Sequence, residues 1–293
     1  MSASPAMMSV NLAPVGVNTA LMTAHLRGQA GLAQKPLCHD PWAFMLAGDE
    51  GQALVDSLTE SDWKGGSLFM GLRTRFFDDI VKLYVNQRGF RQVVLLGAGM
   101  DTRAVRLAHD GVRFFEVDHP RMQMFKQTRL DALVGYPQEA ATYVACDFQQ
   151  DSFIERLVAA GFQPSLPTVV LWEGVTMYLS VDAVVKTLKT LKQNLSRDSL
   201  VVFDYSTPDV KTTTMAQKVA EWGEPFQWLT PNPFPQLKQS EFFCYEWVPF
   251  GTLNALLRRH SASAFSSFGV ALASDVPMPM GRIFSSPAGV TPA

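Results

Sequence analysis

The stretch from Val93 to Leu107, VVLLGAGMDTRAVRL, takes an apolar run into a glycine turn and then into helical spacing. Gly97 and Gly99, with Ala98 between them, form the pattern G-x-G-x-x-T. Such a turn lets backbone come close to a ligand, because no Cβ stands in the way. Asp118 follows Gly99 by 19 residues and ends the next apolar run. That is the spacing at which a carboxylate meets ribose hydroxyls. Asp147 and Glu173 close two later runs of the same kind.

Dinucleotides and S-adenosylmethionine both carry a ribose, so the turn and Asp118 suit either. Three features favour the sulfonium compound. Thr102 stands where a third glycine would let a helix pack beneath a pyrophosphate. Asp101 puts a negative charge in the turn, which opposes a pyrophosphate and tolerates a cation. Asp147 and Glu173 add carboxylates at the same edge, where a dehydrogenase would gather cations and backbone amides.

One arginine belongs with these acids. In GSLFMGLRTRFFDDIVKLYVNQRG (66–89), at about 100° per residue, Phe69, Phe76, Phe77, Ile80 and Tyr84 surround Arg73. Arg75, Asp78, Lys82 and Asn86 fall on the opposite side, and Arg75–Asp79 reads as a surface i,i+4 pair. A guanidinium centred on an apolar stripe needs an anion, either a structural carboxylate or a ligand's. Asp101 and Arg103 read as an ion pair that fixes the turn.

The elements around these residues alternate. RQVVLLG (91–97), VRFFEVD (112–118), ATYVACDF (141–148), PTVVLWEG (167–174) and SLVVFDY (199–205) read as strands covered on both faces, with helical spacing between them. Alternation of this kind predicts an α/β, Rossmann-like, doubly wound and mostly parallel sheet with ligands beyond its carboxyl ends. Residues 1–90 form a helical segment over the cofactor site and 91–205 the α/β core. Residues 206–293 supply a cap and complete the sheet, in one compact domain. The cap is rich in aromatics (Trp222, Phe226, Trp228, Phe234, Phe242, Phe243, Tyr245, Trp247, Phe250), expected to be mainly core.

Nearly half of the 293 residues are apolar, and 25 basic residues balance 27 acidic ones. The balance offers no electrostatic reason for nucleic acid, and no apolar run is long enough for a membrane span. Cys38, Cys146 and Cys244 are far apart and odd in number, which suits reduced thiols in the cytoplasm and gives no metal spacing.

TALMTAHLRG, CHDPWA, RTRFFDD, VVLLGAGMDTR, FFEVDHP, ACDF and LWEGVTMYL resemble, in order, the motifs of the leucine carboxyl methyltransferase family, over roughly residues 18–205. That family includes bacterial O-methyltransferases linked to polyketide biosynthesis. The resemblance implies a class I methyltransferase sheet of seven strands and S-adenosylmethionine as cofactor. It also implies roles. Arg73, and with it Thr19, would hold the methionine carboxylate of the donor. Gly97, with Ala98 and Gly99, would admit its methionyl part. Asp118 would take the ribose hydroxyls, Asp147 and Phe148 the adenine, and Glu173 the ammonium group. Asp118 and Asp147 could instead cap following helices, and Glu173 could pair with a core arginine.

The acceptor decides whether a base is needed. A carboxylate is ionised at neutral pH, whereas a phenol of pKa near 10 is about 0.1% ionised and calls for a base. His39, His109 and His119 read as turn, surface and cap residues. His25 and Tyr178 are the candidates near an acceptor, and no base stands out. The expected partner is a small apolar molecule bearing a carboxylate or hydroxyl. A protein C-terminal carboxylate, or nicotinamide-dependent oxidation, are the alternatives.

Overall fold

The computed structural model describes residues 16–58, 65–249 and 268–276. Three helices precede the first strand: α1 (Val17–Gly31), α2 (Ala43–Asp56) and α3 (Gly66–Lys82), the last running on through a π-helical turn to Gln87. Strands and helices then alternate: β1 (Gln92–Leu96), α4 (Arg103–Arg106), β2 (Arg113–Asp118), α5 (Pro120–Asp131), β3 (Ala141–Ala145), α6 (Phe153–Ala159), β4 (Thr168–Trp172), α7 (Val181–Asn194) and β5 (Leu200–Ser206). Beyond them lie α8 (Val210–Glu221), α9 (Phe234–Gln239), β6 (Cys244–Pro249) and β7 (Phe268–Ser274).

The seven strands form one sheet in the order β3-β2-β1-β4-β5-β7-β6. β1 to β5 run parallel, and β7 lies antiparallel between β5 and β6. The period of two decides where each side chain goes. Val93 and Leu95 of β1 face the core shared with α3, whereas Val94 and Leu96 face the one shared with α6 and α7. Both faces are therefore dry, as the unbroken apolar runs require. Strand order reverses between β1 and β4, and the crevice at that reversal is where a doubly wound sheet binds ligands.

Helix α4, after the glycine turn, is a single turn that stops at Arg106. Asp78 lies opposite the Arg73 stripe, yet it is 4% exposed, because α3 is enclosed on nearly every side. The apolar stripe of α3 meets the sheet while its flank meets α4, whose Arg103 and Arg106 both pair with Asp78. Arg75–Asp79 is the expected surface pair.

Candidate functional site

A cavity of about 700 Å³ opens at the carboxyl ends of the parallel strands. Its floor is the turn after β1. Gly97 (φ 69°) and Gly99 (φ 48°) both sit in the left-handed region, and a Cβ on Gly97 would lie 2.5 Å from Val175 Cγ2. The Gly97 and Ala98 amides donate to the Val117 carbonyl (2.8 and 3.2 Å), which fastens the turn to β2.

Asp118 and Asp147 line the cavity beside this turn. Asp118 accepts from the Gly99 amide through Oδ2 and from the His119 amide through Oδ1, each at 2.7 Å. Burial raises its pKa, and those amides work against the rise. Neither acid caps a helix: His119 Nδ1 caps α5 and Ser152 caps α6. Asp147 Oδ1 instead accepts from the Gln149 amide in a local turn (3.0 Å). Phe148, 43% exposed, lines the mouth beside it.

Arg73 lies on the cavity wall, and both of its partners are carboxylates of the chain. Its Nε donates to Glu173 Oε1 (2.8 Å) and its Nη1 to Asp204 Oδ2 (3.2 Å). Arg103 Nη2 lies 2.7 Å from Glu173 Oε2, so Glu173 sits between two guanidinium groups. Arg103 also pairs with Asp101, as expected, and Asp101 ties back to the Arg103 amide (2.6 Å). Burial would raise the Asp101 pKa, but Arg103, Arg27, Arg106 and Lys126 pull it down to about 2.

The pairing continues behind the turn. Asp78 links Arg103 to Arg106, and Asp40 accepts from Arg27 (2.6 Å) and from Thr102 Oγ1 (2.7 Å). Thr102, in the third glycine's place, thus ties the turn to the segment before α2. Asp204 ends the chain, also accepting from the Gly174 amide (2.7 Å), with burial lifting its pKa to about 6. Below the turn, buried Lys126 donates to the Asp101 carbonyl (2.6 Å) and pairs with Glu116.

Beside Arg73, whose Cζ lies 5.5 Å over the Phe69 ring, the wall becomes apolar, lined by Met22, Phe69, Met70, Met215, Val219, Met177, Tyr178, Phe226 and Phe268. Phe69 packs on Phe268 (4.4 Å between centroids), and Tyr178 meets Phe226 edge-on (5.1 Å). Burial pushes the Tyr178 pKa upward, and Thr19 opposes the rise. Of the cap aromatics, expected to be mainly core, Trp228 and Phe242 are buried and Phe226 reaches the cavity, but Phe234, Phe243 and Trp247 are exposed; Phe250 lies outside the described residues.

Of the residues singled out by sequence, Thr19, Arg73, Gly97, Ala98, Gly99, Asp118, Asp147, Phe148, Glu173 and Tyr178 all line this cavity. His25 does not. It is 6% exposed and edge-on to Phe44 (5.0 Å), because its face of α1 packs against α2 instead. Burial lowers its pKa. Sequence reasoning missed Asp204 and Glu224. A lone acid inside the apolar run VVFDY was a usable signal for Asp204, by the rule that picked out Arg73. Glu224 carried none.

The charges describe the ligand. Five carboxylates (Asp101, Asp118, Asp147, Glu173, Glu224) and three guanidinium groups (Arg27, Arg73, Arg121) line the cavity. Arg103 meets Asp101 and Glu173 from behind, whereas Asp118 and Asp147 leave negative charge beside the glycine cradle, which fits a cationic, ribose-bearing molecule and disfavours a pyrophosphate.

A family model described as leucine carboxyl methyltransferase matches residues 20–192. A protein of Parafrankia sp. (strain EAN1pec) classed as an S-adenosyl-L-methionine-dependent methyltransferase is 38% identical over 175 residues, 56% of this chain and 54% of that one. One from Mycolicibacterium paratuberculosis, classed in the same way, is 33% identical over 219 residues, 70% of this chain and 71% of that one. The matched stretch thus spans about half the length of the first relative and seven tenths of the second. Among solved structures, a protein from Thermobifida fusca YX described as a methyltransferase superposes with a TM-score of 0.61 at 16% identity, covering 86% of this chain and 93% of that one. A DUF574 family protein from Streptomyces avermitilis gives 0.57 at 15% identity, covering 87% and 97%. At such identities these two speak for the fold.

Proposed function

Because the chain belongs to the leucine carboxyl methyltransferase family and its cofactor is S-adenosylmethionine, we propose that it is an O-methyltransferase acting on a small apolar molecule. Its acceptor group is a carboxylate. The nicotinamide alternative falls with family membership. The donor supplies a methyl group on a positively charged sulfur.

Arg73 and Thr19 hold the donor's carboxylate, and Glu173, between its two arginines, both aims Arg73 and meets the ammonium group. Gly97, Ala98 and Gly99 admit the methionyl chain. Asp118 takes the ribose hydroxyls through the lone pairs that the Gly99 and His119 amides leave open. Asp147 and Phe148 receive the adenine. Methyl transfer is an in-line displacement, so the protein's contribution is chiefly alignment.

One observation carries the choice of acceptor: the groups on the cavity that could take an acceptor's proton are engaged elsewhere. His119 caps α5 through Nδ1, Glu224 holds the Asn18 and Thr19 amides, and burial keeps the Tyr178 hydroxyl protonated. Such a hydroxyl orients an acceptor oxygen and does not deprotonate it. The acceptor must therefore arrive ionised, which a carboxylate does and a phenol does not. Methionine and phenylalanine side chains suit an apolar metabolite such as a polyketide better than the polar tail of a protein. No described helix is long and apolar enough to cross a membrane. The buried thiols of Cys38 and Cys146, raised to about 11 by burial, fit a cytoplasmic setting.

The test is a panel of apolar acids and phenols with methyl-labelled donor, followed by mild alkali. Esters release labelled methanol and aryl ethers do not. Labelled product that survives alkali overturns the carboxylate reading, and label in a protein C-terminus overturns the small-molecule one.

A further inference from the structure

The first turn of α1 lacks a cap of its own. Its N-cap position is Gly16, no side chain caps it locally, and its first turn holds no acid. Orphan amides at a buried helix start need an acceptor. Here the acceptor comes from 205 residues away. Glu224, 4% exposed, takes the Asn18 amide on Oε1 (3.1 Å) and the Thr19 amide on Oε2 (3.2 Å).

Glu224 belongs to a strap, residues 223–227, that follows α8 and lines the cavity at every position. The strap's other end is also fastened. The Gln227 and Trp228 amides donate to the Met177 carbonyl (2.7 and 3.1 Å), and Gln227 Nε2 donates to the Tyr178 carbonyl (2.7 Å). A continuous tie results, running from Thr19 to Glu224, along the strap to Gln227 and on to Tyr178. One end carries Thr19, assigned above to the donor. Between the ends lies Phe226, part of the acceptor wall.

We infer that Glu224 is a positioning residue that couples the two halves of the site: it ties the strap bearing the acceptor wall to the helix that holds the donor. When α1 settles on the donor, the tie carries that order to the strap and to the acceptor wall it bears. This rests on the donor assignment above. A carboxylate suits the task because its two oxygens serve adjacent amides at once and complement the positive end of the helix. An amide side chain serves one amide well and the other poorly.

Hydrogen–deuterium exchange on the full chain, with and without S-adenosylhomocysteine, tests the coupling. In the wild type the ligand should slow exchange in both 17–22 and 219–228. In Glu224→Ala it should protect 17–22 alone, with affinity by calorimetry lowered on the order of tenfold. Glu224→Gln should recover part of both effects. Lys218→Ala, which removes an exposed pair with Glu221, should behave as wild type. Protection of both segments in Glu224→Ala, or protection in neither with affinity unchanged, overturns the coupling. Should Glu224→Ala fail to fold, Glu224→Gln carries the test, and full joint protection at wild-type affinity overturns the inference. If the wild type binds no S-adenosylhomocysteine, the donor assignment fails instead. The tie is then judged without ligand, by whether exchange in 17–22 and 219–228 rises together in Glu224→Ala, and a rise in one segment alone refutes it.

Discussion

Asp78→Asn separates a surface helix from an enclosed one. The substitution keeps shape and removes one charge from between Arg103 and Arg106, whose side chains are 2% and 7% exposed. Deleting one member of a buried ion pair costs about 3–5 kcal/mol, because the other is left charged in a dry place. The two arginines fare differently. Arg103 keeps Asp101 and Glu173, whereas Arg106 keeps Asp40, 3.7 Å away. The loss should therefore lie near the lower end, about 3 kcal/mol. At roughly 2–4 °C per kcal/mol for a protein of this size, Tm falls by about 6–12 °C in differential scanning calorimetry. Adding Arg106→Met removes the stranded cation, so the double variant should be more stable than the sum of the single changes by about 1–2 kcal/mol. A drop under about 2 °C for Asp78→Asn, or strict additivity, would refute the enclosed network and favour the solvent-facing position that helical spacing alone suggests.

Other outcomes follow from the same geometry. Gly97→Ala forces a Cβ to within 2.5 Å of Val175 at a left-handed φ, and should weaken S-adenosylhomocysteine binding by about tenfold or more in calorimetry. Val175→Ala should restore part of that loss. His25→Ala should leave the methyl-transfer rate within about twofold of wild type, whereas Tyr178→Phe should lower it by roughly tenfold, both read with labelled donor. Burial lifts Glu116 from 4.5 to about 7, with Lys126 opposing the rise. A raised carboxyl pKa favours the folded state below the unfolded value and loses that advantage as pH climbs through the folded one. Glu116→Gln should therefore flatten the fall in Tm between about pH 4.5 and 7 relative to wild type.

What could be read from sequence was whatever depends on local period. Strands β1 to β5 come from apolar runs whose composition admits little else, and the turn at Gly97 and Gly99 needs a backbone that only glycine adopts cheaply. The acids at the strand ends follow from the sheet, since parallel strands deliver their carboxyl ends to one edge. Period says nothing of what covers a helix. Asp78 falls on the far side of the Arg73 stripe, an angle that does not reveal its environment, because α4 lies there. His25 failed for the same reason, as α1 turns that residue toward Phe44. Asp204 and Glu224 meet their partners across 131 and 205 residues of chain, a pairing no local pattern contains.

The two halves of the cavity are held by different physics, and that difference bears on how the site works. Behind the donor half, charges from Arg27, Asp40, Arg73, Asp78, Arg103, Glu173 and Asp204 interlock across α1, α3, the glycine turn and strands β4 and β5. Buried ion networks add little net stability, since desolvation consumes most of the attraction, but each member fixes the direction of the next. Arg73 is thereby held in one direction by Glu173 and Asp204. The acceptor half is closed by the strap, and the polar contacts that fasten it at Glu224 and Gln227 are neutral or single-charge hydrogen bonds of modest individual worth. Apolar side chains there can repack around different shapes, methionine most readily. Under the proposed function, a rigid donor half and an adaptable acceptor half suit one methyl donor and acceptors of varied shape, and the division follows the chain, with Phe226 and Met215 on segments beyond the last parallel strand.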